Sequence, residues 1–294
     1  MSLIVIGSSA MDLVVTTQQR PQAGETLIGK NFFVVPGGKG ANQAVACARL
    51  GAQVTFLGCV GDDSYGKMIV DNLVREGINT QAIDRLPQVT SGTAHITLAD
   101  GDNSIIVIKG ANDYITPAYI EKNSLALNKA KIVLIQQEIP KQTVSYVAQL
   151  CNKKKIPLLL NPAPARKLSS IIIDQVSYLT PNEHEAGVIF GVDNYHKILA
   201  KYPNKLIVTE GSQGVRYHDA SKEQHIPGYN VDVIDTTGAG DTFNGAFAVA
   251  ISEGNSIRES LVFANAAAAL SVTQLGAQGG MPTKADVTAF LERR

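Results

Sequence analysis

The sequence lacks several features that would point to particular classes of protein. Its 294 residues include no tryptophan and three cysteines, and 26 basic side chains balance 26 acidic ones, so the formal net charge is zero. A chain without excess positive charge is not expected to bind nucleic acid or an anionic membrane over its whole surface. Cys47, Cys59 and Cys151 are far apart and form no CxxC pair. This spacing argues against a disulfide framework and favours buried thiols in a reducing compartment.

Long hydrophobic runs are also missing. No stretch approaches the ~20 apolar residues that a membrane-spanning helix requires. The N-terminal segment 1–7 contains no basic residue and reaches Gly7 after four apolar residues, which is typical of a buried strand and not of a signal peptide. We therefore expect a soluble, cytoplasmic protein with no nucleic-acid and no membrane partner.

The motifs of three common enzyme classes are absent or incomplete. The sequence contains no complete GxGxxG fingerprint of a dinucleotide-binding fold and no GxSxG elbow of a serine hydrolase. Its five histidines show no metal-ligand spacing. Gly61–Lys67 fits the first part of the phosphate-binding GxxxxGK[ST] motif. The next residue is Met68, which offers no hydroxyl to magnesium, and Asp62 and Asp63 would repel phosphate, so a P-loop is not expected.

Short apolar segments alternate with segments of helical periodicity along most of the chain. The apolar, β-rich segments are 3–6, 54–60, 132–136, 156–160 and 206–209. The helical segments are 41–50, 65–76, 117–128, 142–154, 239–253, 257–272 and 284–291. Strands this apolar are typically buried on both faces. The alternation therefore predicts an α/β fold with a doubly wound, mainly parallel sheet and helices on both faces.

Two segments, 12–35 and 92–107, interrupt this alternation with strand-like patterns. Thr93–Leu98 alternates in strand fashion, and Gly101-Asp102-Asn103 is predicted to form a hairpin turn. Strands that no helix follows indicate a small β-sheet inserted into the α/β body, so we expect one domain over residues 1–294 with a β lid. Such a sheet is either a flap that excludes water from an active site or a structural edge hairpin.

The most informative segment is Asp235–Gly245, with the sequence DTTGAGDTFNG. The small residues 238–240 let the backbone approach a ligand closely, and the helix predicted after them directs free N–H groups and its positive dipole end at that ligand. Asp241 lies in the first turn of this helix. A proton-accepting carboxylate beside donors for a transferring phosphoryl group meets the needs of phosphoryl transfer to an alcohol. The alternative is an aspartate that merely follows a Gly-rich turn.

A second glycine-rich segment, Val35–Gln43, also joins a strand to a helix. Lys39 and Asn42 place hydrogen-bond donors at the start of that helix, where a small hydroxylated ligand or an anion would fit. We favour ligand contact over a plain turn here because three glycines stand so close together.

Together these residues resemble the ribokinase/PfkB family of sugar kinases over almost the whole chain. The resemblance is carried by Gly7-Ser8 with Asp12, and by segments 24–26, 37–44, 61–63, 161–165, 180–183 with Glu185, 209–212, 235–245 and 276–278. It implies ATP-dependent phosphorylation of D-ribose at O5, and the run NPAPA at 161–165 points to ribose among the sugars of the family.

The resemblance also implies roles for individual residues. Asp241 is expected to be the catalytic base, and Gly238, Ala239 and Gly240 the anion hole for the γ-phosphate. The expected sugar-binding residues are Asp12, Gly38, Lys39, Gly40, Asn42 and Glu138, together with Asp241. The expected ATP-binding residues are Asn182, Thr209, Gly211, Ser212, Gly214, Gly240 and Asn265.

Two cations and a protein partner are implied in the same way. Glu185 is expected to support Mg²⁺ indirectly, and the Asn182–Glu185 pair has the alternative, compatible reading of an N-cap with a first-turn acid. The expected K⁺ ligands, largely through backbone carbonyls, are Asp235, Thr237, Ser271, Gln274, Gly276 and Gly280. The partner is a second copy of the chain, paired through the β lid to form a homodimer.

One position departs from the family pattern. Many members have an asparagine two residues before the substrate aspartate, and this chain has Ala10 there. A site that hydrogen-bonds a hydroxyl rejects an analogue without it, so we expect weaker discrimination against 2-deoxyribose than in an enzyme with asparagine. The alternatives to a ribose kinase are a 2-deoxyribose or nucleoside kinase, and a non-catalytic sugar-binding sensor, against which the intact Asp241 motif argues.

Overall fold

The computed structural model describes residues 2–100 and 102–293 and has an α/β architecture. Its strands are β1 (Ser2–Ile6), β2 (Ala10–Thr16), β3 (Asn31–Gly37), β4 (Gln53–Gly61), β5 (Ile83–Leu86), β6 (Gly92–Ala99), β7 (Asp102–Ile108), β8 (Ile132–Ile135), β9 (Leu158–Leu160), β10 (Tyr178–Leu179), β11 (Ile207–Thr209), β12 (Gly214–His218) and β13 (Glu223–Pro227). Its α-helices are α1 (Lys39–Arg49), α2 (Ser64–Arg75), α3 (Pro117–Lys122), α4 (Ser124–Leu127), α5 (Lys141–Lys154), α6 (Ser170–Gln175), α7 (Glu183–Phe190), α8 (His196–Leu199), α9 (Ala239–Ser252), α10 (Ile257–Ser271) and α11 (Lys284–Glu292).

Six strands form a parallel central sheet in the order β10-β9-β8-β1-β4-β5. Helices cover both of its faces, as the alternation of β1 side chains shows. Leu3 and Val5 pack into one apolar cluster with residues of α1, α9 and α10. Ile4 and Ile6 pack into a second cluster with residues of α3, α5 and α6. The predicted doubly wound α/β sheet is confirmed.

The strand predicted at 206–209 is present, but it pairs with both parallel and antiparallel neighbours. Leu206 and Thr209 make isolated parallel bridges to Leu179 and Asn182, whereas β11 pairs antiparallel with β12, and β12 with β13. Only four residues separate β12 from β13, which is too short for the crossover that a parallel pair needs. An antiparallel extension of three strands therefore follows the parallel sheet, and it was not predicted.

The β lid is a separate four-stranded sheet in the order β3-β2-β6-β7. It agrees with the strand-like segments predicted at 12–35 and 92–107, but the predicted hairpin turn is wrong in position. Asp102 and Asn103 lie in β7, and Asp100 adopts the left-handed conformation with φ +55°, which aspartate tolerates better than most residues. Gly101, the first residue of the predicted turn, lies outside the described residues.

Two further expectations can be compared with the structure. The helix predicted at 117–128 is two helices, α3 and α4, separated at Asn123, whose side-chain amide donates to the Tyr119 carbonyl and so competes with helix continuation. The three cysteines are buried and unpaired, as expected. Among the described residues, no helix combines the length and apolar character needed to cross a membrane.

Candidate active site

The N-termini of two helices meet at the carboxyl edge of the central sheet, where α/β folds commonly bind ligands. Helix α1 begins after Gly38 and α9 begins after Gly238, and both glycines have positive φ, +87° and +80°. In the part of the chain that the structure describes, neither helix has a side-chain cap. A Cβ on Gly238 would lie 2.8 Å from the Cα of Ala277. Glycine is therefore required here by both conformation and space.

The Asp241 carboxylate lies between these two helices and is 6% exposed. Its Oδ2 accepts a hydrogen bond from Asn42 Nδ2, and its Oδ1 accepts one from Gln43 Nε2, both at 3.0 Å. Burial raises the pKa of Asp241, while the Lys39 ammonium and the two amide donors oppose the rise. A buried carboxylate held in one orientation, with a raised pKa, is suited to accept a proton.

The predicted sugar-binding side chains come together beside Asp241. Glu138 Oε2 accepts hydrogen bonds from Ser8 Oγ at 2.5 Å and from the backbone N–H of Lys39 at 3.0 Å. Burial, together with the negative charges of Glu138 and Asp241, raises the pKa of Asp12 to about 6. The pKa of Lys39 is also raised, chiefly by Asp241, although burial opposes this. Three carboxylates and one ammonium group therefore share one polar site.

The glycines of the second motif serve packing as well as any ligand. A Cβ on Gly40 would lie 2.6 Å from the backbone of Gly7, so a side chain there would push α1 away from the end of β1. The backbone N–H of Gly40 donates to Ser8 Oγ at 3.3 Å, which joins the start of α1 to Glu138 through Ser8. The glycine cluster thus sets the position of α1 relative to the sugar-side carboxylates.

A cavity of about 300 Å³ opens on the other side of the α9 N-terminus. Six of the seven predicted ATP-binding residues line it, namely Thr209, Gly211, Ser212, Gly214, Gly240 and Asn265. The rest of the lining includes an apolar wall that the sequence did not reveal, formed by Val231, Val233, Phe243, Ala268 and Val272. An apolar cavity that ends at a helix N-terminus is suited to a planar base carrying phosphates.

Asn182, the seventh predicted residue, is not among the residues that line this cavity. Its Oδ1 accepts from the backbone N–H of Glu185 at 2.8 Å, and Glu185 Oε2 accepts from the backbone N–H of Asn182 at 2.9 Å. These two reciprocal hydrogen bonds form a capping box, in which Asn182 is the N-cap of α7, one of the two roles expected for the pair. Burial raises the pKa of Glu185, and the Asn182 hydrogen bond and Lys39 oppose the rise. Glu185 therefore lies within electrostatic reach of the Lys39–Asp241 pair.

Five of the six predicted K⁺ ligands meet beneath the α9 turn. Asp235 Oδ1 accepts from Thr237 N at 2.9 Å and Oγ1 at 2.6 Å, and Asp235 Oδ2 accepts from Gly276 N at 2.8 Å. A Cβ on Gly280 would lie 2.0 Å from the Ser271 carbonyl oxygen, so this loop folds tightly against the end of α10. Gln274 is exposed on the same loop. Burial raises the pKa of Asp235, but the hydrogen bonds from Thr237 and Gly276 outweigh it and lower the pKa.

No cluster of three or more His, Cys, Asp or Glu side chains able to hold a metal occurs within residues 2–100 and 102–293. A cation in the 235–280 region would therefore depend on backbone carbonyls together with Asp235. Such a ligand set suits a large monovalent cation better than a transition metal.

The sequence reasoning missed several site residues, of which Gln43 is the most important. It stood inside the second glycine motif, but it received no role of its own. Gln136 likewise ends the predicted strand 132–136 as its only polar residue and is fully buried. A polar side chain at the end of a buried strand, or on the buried face of a helix, is the signal that could have identified both residues.

Comparison with known proteins adds independent information. The profile of the pfkB family carbohydrate kinases matches residues 1–284. The chain is 57% identical over 290 residues to the ribokinase of Bacillus subtilis (strain 168), which covers 99% of each chain. It is 37% identical over 302 residues to the deoxyribokinase of Salmonella typhi, again over 99% of each. Its structure is similar to that of Arabidopsis thaliana ribokinase complexed with ribose and ATP, with a TM-score of 0.92, 34% identity and coverage of 99% and 98%.

Proposed function

This chain belongs to the pfkB family of carbohydrate kinases, and we propose that it transfers the γ-phosphoryl group of ATP to O5 of D-ribose. The position of Asp241 carries the proposal. Its carboxylate faces the polar site around Asp12 and Glu138, and its helix begins at the cavity suited to ATP. In this reaction the ribose O5 hydroxyl gives its proton to Asp241 and attacks the γ-phosphorus, while the bond between that phosphorus and ADP breaks.

The sugar is held by groups that match the hydroxyls of a neutral pentose. Asp12 and Glu138 supply acceptor oxygens, and Lys39 supplies a donor. Asn42 uses one of its two amide N–H groups on Asp241, which leaves the other for a sugar hydroxyl, since the described residues show no second partner for it. These groups come from β2, α1 and the segment after β8. Because they contact the sugar from several elements, they would hold its reacting hydroxyl in one orientation.

The start of α9 holds the transferring phosphoryl group. The backbone N–H of Ala239 donates to Thr236 O at 3.3 Å, and that of Thr242 donates to Gly238 O at 2.8 Å. Within α9 itself, the N–H groups of Gly240 and Asp241 are therefore the donors that remain, and the N–H of Gly238 just before the helix also has no backbone partner in the described part of the chain. We assign the anion hole mainly to the two groups within α9, with the helix dipole adding to it.

Magnesium and potassium complete the proposed site. Glu185, with one carboxylate oxygen outside the capping box, is a suitable hard ligand for a water on Mg²⁺, and the ion neutralises charge on the phosphates. The carbonyls of Ser271, Gln274, Gly276 and Gly280 together with Asp235 and Thr237 fit K⁺, whose charge stabilises the turn that precedes Asp241. The cytoplasmic location and the absence of nucleic-acid and membrane partners stay predictions.

Release of ADP across a panel of sugars tests the proposed function. We expect D-ribose to give the highest kcat/KM among the pentoses and hexoses, and we expect potassium to increase the rate relative to sodium. The panel separates the alternatives, because a nucleoside kinase would prefer a nucleoside and a sugar sensor would bind ribose without releasing ADP. Failure to phosphorylate any free pentose would contradict the proposal.

The 2-deoxyribose arm of the same panel examines the main competitor, which is favoured by Ala10 and by the likeness to a deoxyribokinase. Ala10 lies two residues before Asp12 on β2 and so faces the same side of the lid, and its cross-strand partners are Gly37 and Gly92, which have no side chain. We expect Ala10→Asn to raise the preference for ribose over 2-deoxyribose by about ten-fold, the value of one buried hydrogen bond. Equal selectivity in the two proteins would refute the role of this position.

The exposed face of the β lid supports a homodimer. Phe32 on β3 is 61% exposed, and Ile106 and Ile108 on the same face are 67% and 47% exposed, whereas Ile105 and Val107 are exposed on the opposite face. Apolar side chains this concentrated on a small sheet are expected to be covered by a protein partner. A second copy of the chain fits because the lid would pair face to face with itself under twofold symmetry.

We therefore expect the protein to sediment at twice its chain mass of 31.3 kDa, and Ile106→Asp to sediment at the mass of one chain. Leu125→Asp is the matched control, because Leu125 is 80% exposed on α4, outside the lid. Sedimentation of the unmodified protein as a monomer would contradict the dimer.

A further inference from the structure

We propose that Gln136 and Gln278 are positioning residues that orient the side-chain amides of Gln43 and Asn42, so that each amide presents an N–H group to Asp241. The inference rests on the proposed function for the role of Asp241 as a base. A side-chain amide can turn by 180°, which exchanges its donor and acceptor ends. Whichever group meets the far end of the amide therefore decides which end faces the carboxylate.

Gln136 fixes the first amide. Gln136 Nε2 donates to Gln43 Oε1 at 2.6 Å. Gln43 Nε2 then donates to Asp241 Oδ1 at 3.0 Å and to Asn161 Oδ1 at 3.2 Å. The three hydrogen bonds of this amide are mutually consistent, since its oxygen meets one donor and its nitrogen meets two acceptors.

The surroundings of Gln136 show what the residue contributes. It is 0% exposed, and its own Oε1 has no hydrogen-bond partner among the described residues. A buried acceptor without a partner is unfavourable, so an apolar side chain would serve packing better. The donor end of Gln136 is therefore the part that matters, and its recipient is Gln43.

Gln278 fixes the second amide from a different part of the chain. Gln278 Nε2 donates to Asn42 Oδ1 at 2.9 Å, and Asn42 Nδ2 donates to Asp241 Oδ2 at 3.0 Å. Gln278 Oε1 in turn accepts from Asn72 Nδ2 of α2 at 2.8 Å. Neither Gln136 nor Gln278 touches Asp241, but together they determine which groups face its two oxygens.

The two chains of amides give Asp241 one donor on each oxygen and leave its remaining lone pairs for the hydroxyl proton. The charged groups that face Asp241 are Lys39 from α1, Asp12 from β2, Glu138 from the segment after β8 and Glu185 from α7. All four are unchanged when Gln136 or Gln278 is replaced. A change in the titration of Asp241 in such variants, measured at a constant saturating potassium concentration, can therefore be assigned to the amides.

The variants Gln136→Met and Gln278→Met test the inference, because methionine keeps the length of glutamine and removes its donor. Loss of a donor that favours the ionised carboxylate raises the pKa of Asp241, so the acid limb of kcat/KM moves to higher pH. We expect a shift of roughly one pH unit, a fall in kcat of about ten-fold and a sugar KM within about two-fold of the original. Carbon-13 NMR of the Asp241 carboxyl group should show the same shift in its titration midpoint.

Thr143→Val is the control, because it removes another buried hydrogen bond, from Thr143 Oγ1 to the Ile115 carbonyl, which involves no residue of this network. It is expected to lower Tm without moving the acid limb. The inference would be overturned if Gln136→Met and Gln278→Met fold and show the same acid limb of kcat/KM and the same NMR titration midpoint of Asp241 as the unmodified protein. If Gln136→Met does not fold, Gln278→Met provides the test alone. The NMR titration does not depend on turnover. If the unmodified protein phosphorylates no sugar, the proposed function is refuted, and the NMR midpoints of the variants still test this inference separately.

Discussion

Asp241→Asn is expected to lower kcat by about three powers of ten and to leave ribose binding nearly unchanged. The substitution keeps the size of the side chain and removes the proton acceptor. We expect binding to be spared because Asp12, Lys39 and Glu138, the other proposed sugar-binding groups, are unchanged. Single-turnover formation of ADP measures the chemical step, and calorimetric titration with ribose measures the binding.

The environment of Asp241 adds one complication to this experiment. An asparagine at position 241 turns its own NH₂ group towards Asn42 or Gln43, both of which donate to this site. One of those amides must then rotate, so a part of the loss comes from positioning. Asp241→Ala separates the two effects, because it removes the base and leaves no opposing donor.

The pH dependence provides a second readout for the same variant. Burial raises the pKa of Asp241 and also that of Asp12, the latter to about 6. In the proposed reaction both carboxylates act in their ionised form, so activity in the unmodified protein is expected to fall as the pH drops and the two groups take up protons. In Asp241→Asn, the pH profile of the residual activity should no longer show the decrease at low pH that results from protonation of Asp241. Asp193→Asn, at an exposed position, is the control, and near-normal turnover in Asp241→Asn would refute the assignment of the base.

The parts of the fold that follow from local pattern were predictable. The strand β1 and the helix α1 are visible in the sequence because apolar residues repeat with the period of each element. The start of α9 is visible because only small residues suit a backbone that packs against Ala277 and turns into a helix at Gly238. Local signals of this kind do not depend on which distant segment lies opposite.

The parts that depend on contacts between distant segments were not predictable in the same way. Gln136 and Gln43 are 93 residues apart, and Gln278 and Asn42 are 236 apart. No short pattern indicates that such pairs meet, or that one amide orients the other. The apolar wall of the ATP cavity has the same origin, since Phe243 and Val272 become its lining only when α9 packs on α10.

Two different roles of Asn182 and Glu185 produce the same sequence pattern. A family motif for the nucleotide side and an ordinary N-cap use the same residue types at the same spacing. The structure shows the capping box directly, whereas the role of Glu185 towards Mg²⁺ stays a prediction. Side-chain identity alone could not separate the two roles, because a glutamate in the first turn can complete a capping box and can also support a metal ion.

Gly240→Val is expected to lower kcat/KM for ATP by about two powers of ten without unfolding the protein, because a side chain that keeps the phosphate from one anion-hole donor should cost about as much as loss of that donor. Gly240 is the second residue of α9, it lines the ATP cavity, and its φ is not in the left-handed region. Among the described residues, apart from its chain neighbours and the backbone of its own helix, no atom lies within 4 Å of the position that its Cβ would take. A side chain there has room in the protein alone, and it occupies the space next to the N–H groups that we propose hold the γ-phosphate.

The expected stability separates this effect from a folding defect. Replacing a helical glycine removes a cost of about 0.5–1 kcal/mol, which offsets the weaker helix propensity of valine. Tm and ribose binding should therefore stay close to those of the unmodified protein. Gln142→Val places the same side chain at the second position of α5, on an exposed surface, and should leave ATP kinetics unchanged. Unaltered ATP kinetics in a folded Gly240→Val protein would mean that the phosphoryl group does not pass this helix end.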